Sequence, residues 1–185
     1  SWAKAPEAID EAKIVKTVEA DVVIVGAGLS GVAAAASCAE NGLDTVILEK
    51  ARRISARGLH MAAANSRLLK KYGVENDIDE MCDSWISVTG HRAKTELIRR
   101  YLIESEHAMN WLLDKTESRG VNCTIFGGEY RGKNYKEYTV THIFACAIEG
   151  VANILLEDAL RDGAHIDYFT TAEQLIKDDT GRVIG

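Results

Sequence analysis

Residues 22–50 read VVIVGAGLSGVAAAASCAENGLDTVILEK. A first strand is expected at Asp21 to Val25, apolar from Val22, and it meets three closely spaced glycines. An alanine-rich segment follows, then a second apolar run, Thr45 to Leu48. Gly26, Gly28 and Gly31 make a GxGxxG pattern where a strand must turn into a helix. Gly26 permits the turn, Gly28 lets a ligand reach the backbone, and Gly31 lets helix and strand pack closely. Leu29 and Ser30 open the helix, where free amides and the helix dipole favour a phosphate. Ala33 to Ala36 keep the helix slim, and Gly42 stops it. Glu49 ends the second strand about twenty residues on, where a carboxylate can accept from both ribose hydroxyls. Lys50 follows it. The stretch predicts a parallel βαβ unit that takes the ADP part of a dinucleotide. The Glu49 charge disfavours a 2′-phosphate, so NADP is the poorer fit. Arg52 and Arg53 read as solvated or phosphate-facing loop charge.

The 185-residue chain is 46% apolar and 27% charged, with a net charge of −6. That balance suits a soluble globular domain and argues against nucleic acid or an anionic membrane as partner. No apolar run is long enough for a transmembrane segment. Cys38, Cys82, Cys123 and Cys146 are widely spaced, and the five histidines make no HxxxH pattern. Neither set suggests a metal site.

Residues 1–19, with the only proline, Pro6, read as a polar leader. Residues 20–185 read as one nucleotide-binding domain. Helices are expected at Leu29 to Asn41, Asn65 to Tyr72, Asp77 to Ser87, Lys94 to Arg119 and Gly150 to Arg161. Lys94 to Arg119 carries an apolar stripe at helical spacing through Leu97, Ile98, Tyr101, Leu102, Trp111 and Leu112. Ala51 to Ala64 reads as a loop leading into a helix, and Asn122 to Tyr138 as an irregular or β-rich excursion. Further strands are expected at Thr139 to Phe144, His165 to Phe169, Glu173 to Lys177 and Arg182 to Ile184, with a turn at Asp178 to Gly181.

Four segments together resemble the FAD-binding domain of the fumarate reductase/succinate dehydrogenase flavoprotein family, which includes ketosteroid dehydrogenases. They are the opening stretch, SARGLHMAAANS, GVANILLEDALRDGAHIDYFTTAEQLI and DDTGRVIG. The resemblance implies an α/β, Rossmann-like FAD/NAD(P)-binding domain with a parallel central sheet, and FAD as cofactor. It implies that Glu49 holds the adenosine ribose and the Gly28 region the pyrophosphate. Arg57 and Gly58 begin the segment that passes the flavin, and the backbone at Ala172 meets the adenine, flanked by Thr171 or Glu173. The family's paired glycines are replaced here by Gly58-Leu59. His60 lacks the surroundings of a covalent flavin attachment and reads as a surface or flavin-adjacent histidine.

In the family, a substrate-capping domain and a returning segment carry the proton-donating arginine and the substrate ligands. The resemblance therefore implies that residues 20–185 are the N-terminal part of an FAD-binding domain, in a truncated chain with no catalytic residue of its own. A small-molecule substrate belongs to the longer protein, which would reduce or form an activated C=C bond. An exposed sheet edge would promote self-association. Two other readings stay open from the residues: an NAD-dependent dehydrogenase domain and a non-catalytic dinucleotide-binding module. Bacterial cytoplasm and export to the cell envelope are both compatible with the chain.

Overall fold

The computed structural model describes residues 9–127 and 136–185. In chain order the elements are β1 (Val22–Val25), α1 (Leu29–Glu40), β2 (Thr45–Glu49), β3 (Met61–Ala62), α2 (Arg67–Lys71) and α3 (Ile78–Val88). Then come α4 (Thr95–Glu117), β4 (Cys123–Phe126), β5 (Thr141–Phe144), α5 (Ala147–Arg161) and β6 (His165–Tyr168). The described residues fall into two compact units, one within residues 1–55 and 155–185 and the other within residues 56–154. Pro6 lies outside the described residues, and the described part of the leader, from residue 9, holds a short 3-10 helix, Glu11–Lys13.

The first unit holds the expected parallel sheet, in the order β1–β2–β6. Val23 pairs with Val46, and Ile47 with Ile166. β2 is central, so its Thr45, Val46 and Ile47 are all buried, as a continuous apolar run in a parallel sheet should be. β1 alternates instead, with Val23 and Val25 exposed. Ile24 faces α1, whose Val32, Ala35, Ala36 and Ala39 are buried. The alanines allow this close approach, and Asn41 ends the helix one residue before Gly42.

The pair of strands expected at Glu173 to Lys177 and Arg182 to Ile184 is reduced to one bridge, Lys177 to Val183. Ile184 N–H still donates to Ile176 O at 2.9 Å, and Asp178 N–H to Arg182 O at 2.9 Å. The turn is as expected: the Asp178 carboxylate accepts from the amides of Thr180 and Arg182. Its arms stay short because Leu175, Ile176, Val183 and Ile184 remain exposed, and a two-stranded ribbon alone is marginal.

The second unit has an antiparallel sheet, β3–β5–β4, and helices α2 to α4. β3 was not expected: two residues of the presumed loop pair Met61 with His142 and Ala62 with Thr141. The helix expected from Asn65 begins only at Arg67, because Ser66 caps it and Asn65 is left-handed, with φ 55°. Asp77 caps α3 through the amides of Asp79 and Glu80. α4 buries Ile98, Leu102, Ser105, Met109, Leu113 and Thr116, a helical stripe. Ala64, Met81, Cys82, Ile98 and Leu102 form one core cluster. The excursion from Asn122 contains β4, while residues 128–135 lie outside the described residues.

Candidate functional site

The βαβ unit concentrates its constraints on the turn from β1 into α1. Gly26 sits at φ 94°, a left-handed conformation that favours glycine. Its N–H donates to Leu48 O at 2.8 Å, which ties the turn to β2. Gly31 touches the same glycine from above. A Cβ on Gly31 would stand 1.9 Å from Gly26 O, so no larger residue fits. Gly28 is different. A Cβ there would meet only Ser55 O at 3.8 Å, so its missing side chain leaves open space.

Gly28 is the N-cap of α1 and supplies no side-chain cap. The first-turn amides of Leu29 and Ser30 therefore lack the usual Ser, Thr or Asp acceptor. An uncapped N-terminus beside an open backbone cradle suits a phosphate group.

Glu49 is buried, at 9% exposure. Its Oε2 accepts Ala27 N–H at 2.7 Å and its Oε1 accepts Ala51 N–H at 2.7 Å. These two amides hold the carboxylate below its ordinary pKa, against the opposing effect of burial, and the neighbouring Lys50 charge adds to the lowering. Lys50 itself is exposed. The Glu49 backbone O accepts Thr170 N–H at 3.0 Å, and Ala51 O accepts Phe169 N–H at 3.2 Å. Glu49 thus joins the glycine turn, the loop after β2 and the end of β6.

Of the residues singled out in the sequence, Gly26, Gly28, Leu29, Ser30, Gly31 and Glu49 come together at this turn. Ala172 follows β6 in the same unit and is exposed. It lines a cleft of about 750 Å³ with Val23, Val25 and Leu48, on the sheet face away from α1. Arg57 and Gly58 belong to the second unit and are exposed there. Gly58 is left-handed, with φ 109°, and a Cβ on it would lie 3.7 Å from Ile148 Cγ1. His60 stacks on Phe126, ring centroids 6.1 Å apart.

Sequence reasoning missed three participants. The Ala27 and Ala51 amides carry no side-chain signal. Phe169 is 77% exposed and left-handed, with φ 56°, a costly conformation for a bulky residue.

A family model described as "FAD binding domain" matches residues 21–185, and the chain belongs to that family. It is 28% identical to a urocanate reductase from Eggerthella lenta, over 100% of this chain and 30% of that protein. It is also 28% identical to a vinyl phenol reductase from Lactiplantibacillus plantarum, over 89% of this chain and 32% of that protein. The chain thus spans about a third of the length of these relatives. The solved 3-ketosteroid-Δ4-(5α)-dehydrogenase from Rhodococcus jostii superposes with a TM-score of 0.77 at 23% identity, over 95% of this chain and 43% of that one. Its fold is therefore that of FAD-dependent oxidoreductases, and the chain is the FAD-binding domain of a fumarate reductase-like flavoprotein. FAD is its cofactor. Among the described residues, no helix is long and apolar enough to cross a membrane.

Proposed function

We propose that this chain is the cofactor-holding portion of an FAD-dependent oxidoreductase acting on an activated C=C bond. Bound FAD supplies hydride transfer through flavin N5, to or from the substrate carbon. In this reading the chain's own residues bind and orient. The Leu29 and Ser30 amides and the α1 dipole hold the pyrophosphate, which Gly28 lets approach. Glu49 accepts from the adenosine ribose, and Lys50 tempers the local negative charge. The Ala172 backbone would meet the adenine, and the segment beginning at Arg57 and Gly58 would leave room for the flavin. No residue of this chain is assigned to proton transfer or substrate binding; those groups belong to other parts of the longer protein.

The observation that carries this reading is the open, uncapped α1 N-terminus at Gly28 beside the buried Glu49 carboxylate. The relatives support the reaction class, since urocanate and vinyl phenol both contain a conjugated C=C bond. The absorption spectrum of the purified protein tests it. Yellow colour with flavin bands is expected. A colourless protein whose melting temperature rises with NAD but not FAD would sink the proposal.

The bare sheet face at Val23 and Val25, 52% and 62% exposed, further supports self-association of this chain. Elution as a clean monomer on gel filtration across a concentration series would count against it.

A further inference from the structure

We propose that Glu49 is a positioning residue as well as a ribose ligand: its carboxylate, by holding the Ala27 and Ala51 amides, sets the turn that presents α1 to a pyrophosphate. The inference rests on the dinucleotide reading above and deepens it.

The geometry makes the double role feasible. A carboxylate has about four lone-pair sites on two oxygens. Ala27 N–H takes one on Oε2 and Ala51 N–H one on Oε1, each at 2.7 Å. Acceptor capacity remains on both oxygens for two ribose hydroxyls. Ala27 is fully buried and lies between Gly26 and Gly28, in the middle of the turn. Its amide is consumed by Glu49, so the phosphate-facing amides are those beyond it, at Leu29 and Ser30.

The turn is gripped at three points. Gly26 N–H reaches Leu48 O, Gly31 closes onto Gly26 O, and Ala27 N–H reaches Glu49. The first two are backbone contacts that any strand and helix of this shape would make. The third depends on one side chain. On the other side, Ala51 is bound twice: its N–H by Glu49 and its O by Phe169 N–H. One anion therefore couples the phosphate end of the site to the end of β6, where the adenine-side backbone begins. A glutamine cannot replace it, because its amide group would point a donor at one of two donors. An aspartate, one methylene shorter, cannot span both.

Two measurements on this chain test the proposal. The first needs no ligand. In a pH titration of the wild-type protein followed by amide NMR, the Ala27 and Ala51 resonances should shift together. Their common midpoint should lie below the ordinary carboxylate value. In Glu49→Gln, which keeps one acceptor and turns a donor to the other amide, hydrogen exchange at Ala27 or at Ala51 should speed up roughly tenfold or more, as for loss of a charge-assisted bond. The second compares the affinity of adenosine, AMP and ADP for wild type and Glu49→Gln. A residue that only holds ribose loses the same factor for all three. A positioning residue loses more as phosphates are added, by roughly a further tenfold from adenosine to ADP. Independent titration of the two amides, unchanged exchange at both Ala27 and Ala51, or equal losses for the three ligands overturns the proposal. If wild type binds no ADP, the dinucleotide reading fails, while the amide titration still reports whether Glu49 holds the turn.

Discussion

Residues 26–31 and residues 57–60 both thread glycine through a bend, and the structure treats them differently. The first bend is gripped by backbone, by a helix and by a buried carboxylate. The second is exposed along its length, with Gly58 open to solvent and His60 resting on Phe126. A pyrophosphate site must hold its amides in place before the ligand arrives, because reorganising backbone during binding costs affinity. The second bend, by the functional reading proposed above, passes a flat ring and needs only to leave room. On that reading, the contrast separates a preorganised site from a permissive one.

Several substitutions break or sharpen that contrast. The largest effect is expected from Gly31→Ala, which drives a Cβ into Gly26 O. The first unit should lose about 3 kcal/mol, read by chemical denaturation. Gly58→Ala meets no such wall, only the cost of a left-handed residue, and should cost about 2 kcal/mol or less. A loss as large as that of Gly31→Ala would show the second bend to be equally confined. Gly28→Val should change stability by no more than about 1 kcal/mol, because the space is open. It should nonetheless reduce ADP affinity at least tenfold, or about 1.4 kcal/mol, by titration calorimetry.

Acid separates the two units by a different route. His142 is fully buried, its Nδ1–H donating to Val140 O and its Nε2 accepting the Ser66 hydroxyl at 2.6 Å. Burial depresses its pKa from 6.5. A depressed folded pKa gives stability that is present above the unfolded value and lost as pH falls through the folded one. The second unit should therefore begin to weaken below about pH 6.5. Glu49 is also depressed, from 4.5, so its contribution should fade only below that value. Melting curves followed by probes in each unit should show two onsets in that order. A single common onset would remove the distinction. The smallest effect is expected at Tyr138, whose buried hydroxyl finds no hydrogen-bond partner among the described residues. Tyr138→Phe should be neutral or stabilise by up to about 1 kcal/mol in a denaturant melt.

The glycine turn was legible because its constraints act between neighbours in one motif. Spacing alone brings Gly26 and Gly31 together, and strand length alone puts Glu49 at the tip of β2. The parallel sheet followed from the same pattern, since β2 carries an unbroken apolar run, Val46 to Leu48. The second unit was less readable because distant pairings decide it. β3 exists only through β5, and the late start of α2 reflects Asn65 bonding to Asn76 and Ser66 bonding to His142. The left-handed Phe169 left no trace in residue type. At the glycine turn, the place of Glu49 at the strand tip could be foreseen, but the two amides it occupies could not.

The strand order β1–β2–β6 bears on how the chain comes together in time. β1, α1 and β2 are consecutive and can zip by local steps, but β6 joins β2 only after the whole of residues 56–154 has been made. Closing so long a loop adds little free energy but slows the search. During synthesis, the apolar edge of β2 at Val46 to Leu48 would wait unpaired while the second unit emerges and folds. The central strand of the sheet thus presents an open apolar edge on the ribosome for as long as β6 has yet to appear.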